Sequence, residues 1–184
     1  YKKIVDAHSY RGVCYVLPRD IAPMGLIYYN KEMFKTLEGA TNSTTEILSL
    51  SYWNGGVLRA VDGDVNNFWN SYNAFNALDQ SSINFWDQAD QYFDLTYYTD
   101  YIISESWMGN VDWPWNNIKI YRSDATNGRW RFATIDLELA LQPNGWTDCN
   151  SDHIGHMFGS DTPYINVWKK SIQNSKYKNY FINR

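Results

Sequence analysis

The sequence predicts an α+β fold, and three observations predict it. Apolar residues recur at helical spacing over Asn66–Leu78, from Leu95 to Ser106, and from about Tyr164 to Arg184. A period-two alternation marks Ile118–Arg122 and Arg129–Ile135, with the turn sequence "SDATNG" between them. The chain has 184 residues, of which 44% are hydrophobic and 20% charged, enough for one globular domain, 1–184, with its own core.

The elements follow in chain order. Ile4 to Leu17 reads as two short strands around a turn near Ser9, ended by Pro18 and Pro23. This early strand segment spans 1–23. Mixed loops occupy 24–65, where Thr45 to Tyr52 fits a strand or a short helix. Helices fill 66–108. In the first, Phe68, Tyr72, Phe75 and Leu78 share a face and Asp64 stands at the cap position. A shorter helix is expected over Asn84–Phe93. Asp94 then caps a longer one, with Leu95, Tyr98, Ile102 and Ser106 on one face and Gly109-Asn110 as its stop. A loop and hairpin occupy 109–138, with Trp130, Phe132 and Thr134 on one face of the returning strand. A loop and a final helix fill 139–184, with Ile165, Trp168, Ile172 and Tyr177 as the buried side. The chain starts inside a predicted strand and stops inside a predicted helix, so it reads as a piece of a longer protein, truncated at both ends.

Composition narrows the function. Net charge is −4 and no Lys/Arg run is present, which excludes nucleic acid as the main partner. No stretch is long and apolar enough to span a membrane. Aromatics are 17% of the chain, with 9 Trp and 15 Tyr. Such rings fill a core, or lie on a surface that meets peptides or carbohydrate. Cys14 and Cys149 allow one long-range disulfide or two free thiols. Asn42 in "TNST" is a glycosylation sequon, meaningful only for a secreted eukaryotic protein.

The stretch that carries chemistry is "GNVDWPWNNIKIYR", Gly109 to Arg122. If Ile118–Arg122 pairs antiparallel with Arg129–Ile135, the residues at its open end become neighbours. Asn116 and Asn117 precede the first strand. Asp136 and Glu138, in "TIDLELAL", lie at and after the end of the second, and Asp112 is a short loop away. This set is all hard oxygen and suits Mg²⁺ or Mn²⁺ rather than zinc. Asp112 to Asn117 also has the D-x-x-x-x-N spacing of a protein-kinase catalytic loop, in which the Asp takes the substrate hydroxyl's proton and the Asn binds metal. Asp136 or Glu138 would be the later metal carboxylate. The same residues also fit a loop in which Asp112 caps a turn and the asparagines satisfy backbone groups.

With "GNVDWPWNN" and the downstream "GRWRFATIDLELAL", the chain resembles the CotH kinase family, the spore-coat-protein-H-like atypical kinases. "SYRGVCYVLPRDI", "DGDVNNFWNSYNAFN" and "YINVWKKSIQNSKYKNYFINR" resemble the family's flanking segments, so the likeness covers most of the chain. The resemblance implies a divergent protein-kinase-like fold, mainly its helical lobe with short β-hairpins. It implies ATP and Mg²⁺ (or Mn²⁺) as cofactors, a Ser/Thr protein substrate, and a secreted or cell-surface location. Asp112 matches the catalytic aspartate, and Asn117, with or without Asn116, the metal asparagine. Asp136 matches the first acid of the family's D-x-D, and Glu138 stands where its second Asp is usual. In "LPRDI", Arg19 is the cofactor-binding candidate, and the nucleotide-covering part is expected mostly before Tyr1.

The alternative reading is a pseudokinase, or an adhesion or scaffold module on the same fold that meets surface or carbohydrate-associated partners. Two weaker signals lie elsewhere. "DCNSDHIGH" offers Cys149, His153 and His156 but no fourth ligand for zinc. "DGDVNN" begins like a calcium loop at Asp62, Asp64 and Asn66. It lacks the later glycine and glutamate, so Asp64 reads as a helix cap.

Overall fold

Large aromatic residues at helical spacing need a surface to pack on, and a four-stranded antiparallel sheet supplies it. The computed structural model describes residues 9–10, 13–14, 45–52, 55–137, 140 and 151–184. The chain forms two compact units, Tyr1–Gly39 and Ala40–Arg184. In the first, β1 (Ser9–Tyr10) pairs antiparallel with β2 (Val13–Cys14), Tyr10 opposite Val13. Ser9 is thus a paired strand residue, and the reversal falls two residues later than expected from the sequence. The rest of the 4–17 segment lies outside the described residues.

The second unit holds the sheet, in the order β4-β3-β5-β6. Its strands are β3 (Glu46–Leu50), β4 (Arg59–Asp62), β5 (Ile118–Arg122) and β6 (Arg131–Ala133). The ambiguous 45–52 stretch is therefore a strand. It is paired on both sides, with Leu48 opposite Ile120 and Ile120 opposite Phe132. Those three side chains are buried on one face, together with Leu50 and Ile118. Trp130 joins the same core and bridges Phe93. Thr134, expected beside Phe132, is exposed, because regular pairing ends at Ala133 and the alternation ends with it.

The described helices are six. They are α1 (Val65–Asn76), α2 (Phe85–Ala89), α3 (Leu95–Met108), α4 (His153–Gly159), α5 (Pro163–Ser171) and α6 (Ser175–Asn183). Asp64 caps α1 by accepting from the Asn66 N–H, and Asp94 caps α3 by accepting from the Tyr97 N–H. Phe68 and Phe75 are fully buried on α1, while Tyr72 and Leu78 pack at the core's margin. On α3, Leu95, Tyr98 and Ile102 are buried as their spacing requires. The stripe then continues through Glu105 rather than Ser106, which is half-buried. The aromatic core is continuous: Phe68 meets Trp130 edge-on at 5.6 Å, Phe93 meets Phe75 at 5.4 Å, and Tyr98 meets Phe132 at 5.0 Å.

The single final helix expected over 164–184 is two helices. Asn174 interrupts it: its Oδ1 accepts from the Lys176 and Tyr177 N–H groups, and so begins α6. Its Nδ2 donates to the Gln80 and Ser82 carbonyls, both at 3.0 Å, which ties the break to the α1–α2 connection. Ile165, Trp168 and Tyr177 are buried as expected, and Ile172 packs at the core's margin. Asn174→Ala removes a cap and leaves two carbonyls unpaired. It should cost about 2–3 kcal/mol, read as a lower urea midpoint at unchanged slope. An unchanged midpoint would mean that α5 and α6 do not depend on this residue.

Candidate functional site

The site is built on the turn that follows α3. Gly109 ends the helix in the left-handed region, at φ 62°, with its N–H turned back to the Glu105 and Ser106 carbonyls. Two buried polar groups on α3 then hold the loop. The Glu105 carboxylate accepts from Asn110 Nδ2 at 2.9 Å, and the Tyr101 hydroxyl accepts from Trp113 Nε1. Tyr101 and Glu105 are one helical turn apart, so a single face of α3 grips the chain on both sides of Asp112. On the far side, His156 Nε2 of α4 lies 3.3 Å from the Trp113 carbonyl oxygen, and the Trp115 ring meets the His156 ring edge-on at 4.8 Å. The Trp113–Pro114 peptide is cis. Trp113 and Pro114 are buried, whereas Trp115 is 41% exposed and forms part of the outer wall.

Within this frame Asp112 is half-buried, and one of its oxygens is fully engaged. Oδ2 accepts from Asn116 Nδ2 at 3.0 Å and from Asn117 Nδ2 at 3.3 Å. The two asparagines differ in what remains to them. The Oδ1 of Asn116 accepts from the Tyr52 N–H at 2.9 Å, so both ends of its amide are used. Among the described residues, no donor meets Asp112 Oδ1 or Asn117 Oδ1.

The hairpin forms with Lys119 opposite Ala133. Continued along both strands, that register sets Asn117 against Ile135 and Asn116 against Asp136, so the expected gathering at the hairpin's open end is present. Asn117 and Asp136 both leave the extended conformation there, each at φ 56°. Few non-glycine residues tolerate that region, Asn and Asp among them, and such positions cluster at functional sites. Asp136 is exposed, and no described side chain pairs with it. Glu138, Arg19 and Cys149 lie outside the described residues. Among the described residues no three His, Cys, Asp or Glu side chains converge as a metal cluster. The oxygens available at the hairpin mouth are those of Asp112, Asn117 and Asp136. They are hard donors that fit Mg²⁺ or Mn²⁺.

The weaker signals resolve structurally. Asp64 is a helix cap, and Glu46 accepts from the Asp64 N–H and from Asn67 Nδ2, so the "DGDVNN" stretch is an α1 entry. His156 packs against the Asp112 loop, with His153 6.5 Å away ring to ring. A cavity of about 310 Å³ opens beside Pro114 and Trp115, walled by Leu50, Leu58, Trp69 and Tyr164.

Sequence reasoning missed Tyr101, Glu105, Tyr52 and His156. Only Glu105 left a signal: an acid one helical turn beyond a buried tyrosine, followed closely by an asparagine. Burial pushes its carboxyl up to about 7, against which the Asn110 amide works only partly.

These features define an α+β domain with a kinase-like arrangement of one loop aspartate, a metal-type asparagine and a later acid. The family model described as CotH kinase protein matches residues 26–184, and the chain belongs to that family. No curated protein and no solved structure gives a significant match.

The folded protein holds the Glu105 proton more tightly than the unfolded chain, whose value is near 4.5. The corresponding stability is fully present below about pH 4.5 and is lost as pH rises through about 7. Glu105→Gln keeps an acceptor for Asn110 and removes this dependence. At pH 8 it should gain on the order of 2–3 kcal/mol relative to its standing at pH 4.5. Melting temperatures of both proteins across that range check it, and parallel profiles would show that Glu105 does not titrate in this window.

Proposed function

We propose that this chain carries the catalytic centre of an ATP-dependent, metal-dependent protein kinase on a divergent, helix-rich kinase-like fold. The observation that supports it most is the asymmetry of Asp112. One carboxylate oxygen is fixed by two amides, and the other faces no described donor. A carboxylate oriented in this way can accept a hydrogen bond from a substrate hydroxyl, and take its proton as the oxygen attacks. In that reaction the Ser or Thr oxygen bonds to the γ-phosphorus, the bond from that phosphorus to the bridging oxygen of ADP breaks, and the hydroxyl proton passes to Asp112. Asn117 Oδ1 and the Asp136 carboxylate, with Glu138 as the second acid, are the ligands proposed for the metal. Bound there, Mg²⁺ or Mn²⁺ would neutralise phosphate charge.

Asn116 has a different part in this reading. Its amide is saturated by Tyr52 and Asp112, so it orients the aspartate and is no ligand. The buried Trp113 anchor and Pro114 supply rigidity, which lowers the entropy lost when a hydroxyl is positioned. A secreted or cell-surface setting is part of the proposal and rests on family likeness. No described helix is long and apolar enough to cross a membrane.

Asp112→Asn is the informative variant, since it keeps an oxygen for the neighbouring amides and removes the base. With full-length protein, Mg²⁺ and labelled ATP, wild type should phosphorylate itself or a serine-rich test protein. Asp112→Asn and Asp136→Ala should each lose at least about 100-fold in rate, with melting temperatures within a few degrees of wild type. Wild-type-like turnover by either variant would sink the role given to that residue. Absent transfer together with absent nucleotide binding would favour the non-catalytic module.

A further inference from the structure

The sheet has a second face, and its composition is uneven. Strand pairing sets Arg59 opposite Ser49, Ser49 opposite Lys119, and Lys119 opposite Ala133, so these four residues form one rung across all four strands. Paired residues point to the same side of a sheet, and the neighbouring Leu48, Ile120 and Phe132 are buried in the core. The rung therefore stands on the outer face. Arg59 is exposed, while Ser49, Lys119 and Ala133 are half-buried.

The next rung toward the far end is bulkier: Asp62 opposite Ile47, Ile47 opposite Tyr121, and Tyr121 opposite Arg131. Arg131 is already paired with the Asp94 carboxylate at 2.7 Å and lies over the Tyr97 ring. Arg59 and Lys119 form no ion pair among the described residues. Two cations thus flank one serine, about 10 Å apart at the backbone across two strand spacings. The small side chains of Ser49 and Ala133 leave room above the rung. Lys119 is two residues from Asn117, so this room adjoins the hairpin mouth.

We propose that Arg59, Ser49 and Lys119 form an anion site that receives the phosphate groups of a nucleoside triphosphate beside Asn117 and Asp136. The proposal rests on the kinase reading and adds to it a phosphate-binding cation pair within this unit. Arg59 supplies a planar fork of donors, Lys119 a point charge on a long stem, and Ser49 a hydroxyl donor between them. The acid on the adjoining rung is Asp62, at the sheet's edge.

The test is calorimetric titration of full-length protein with Mg·ATP, with inorganic tripolyphosphate and with adenosine, for wild type, Lys119→Met, Lys119→Arg and Arg59→Met. Each Met variant should weaken both phosphate ligands about tenfold, leave adenosine unchanged, and flatten the salt dependence of binding, while Lys119→Arg should stay near wild type. Wild-type affinity for Mg·ATP in both Met variants would overturn the rung and leave the kinase reading standing. If only tripolyphosphate binding weakens, the site is for inorganic polyphosphate and the nucleotide assignment fails. If wild type binds no nucleotide at all, both readings fall together. Asp112→Asn separates the two readings from the other side, because it should lose transfer and keep ATP affinity.

Discussion

The loop that presents Asp112 depends on one constraint: buried polar groups on α3 must find partners. Glu105 and Tyr101 lie in the core with exposures of 1% and 3%, one turn apart on the same helix face. Neither can reach water, and an unpartnered polar group at such depth costs about 1–3 kcal/mol. The Asn110 amide and the Trp113 indole meet that need, one on each side of Asp112. The chain between them is short, so satisfying both groups leaves little freedom to the aspartate. The packing of α3 on the sheet, through Tyr98 and Tyr101 against Phe132, is thereby transmitted to the site. The loop's rigidity comes from the core beneath it as much as from its own tryptophans and proline.

Much of this architecture was legible in the sequence, and the reasons are specific. Asp64, Asp94 and Gly109 carry unmistakable cap chemistry, so α1 and α3 were placed within two residues of their ends. The hairpin was legible because Ile118, Ile120, Trp130 and Phe132 alternate on either side of a turn-rich linker. Where it failed, a competing local preference decided. The 164–184 pattern is continuous in its apolar positions, yet Asn174 can serve two carbonyls and two N–H groups at once, and it breaks the helix there. On α3 the stripe was extended to Ser106 because a buried glutamate is a poor guess, and only the Asn110 partner makes Glu105 acceptable at that depth.

The candidate site divides the same way. Hairpin pairing alone places Asn116, Asn117 and Asp136 at one end, so their proximity follows from the pattern of two strands. The support from Tyr52 and His156 was not legible, because both come from distant segments whose approach depends on the completed fold. The sheet also separates its tasks by face. Its inner side chains are aliphatic or aromatic and fix the register, since a slip by one residue would turn the core residues outward. That fixed register places Ser49, Lys119 and Ala133 side by side on the other face.

The adjacent asparagines show how far residue type falls short of role. Asn116 and Asn117 are equally buried, at 6% exposure each, and both donate to the same oxygen of Asp112. What separates them is backbone conformation. Asn116 keeps its carbonyl oxygen turned to the Tyr52 N–H, an interaction that joins the loop to the end of β3. Asn117 sits at φ 56°, which rotates its side chain out of register with its neighbour's and leaves its oxygen without a described donor. One amide is therefore consumed by holding the loop to the sheet, and the other keeps an acceptor free beside Asp136. A strand that began one residue earlier would have had two structural asparagines and no available ligand. The left-handed turn at Asn117 makes the difference, and Asn is among the few residues with a side-chain oxygen that tolerate it.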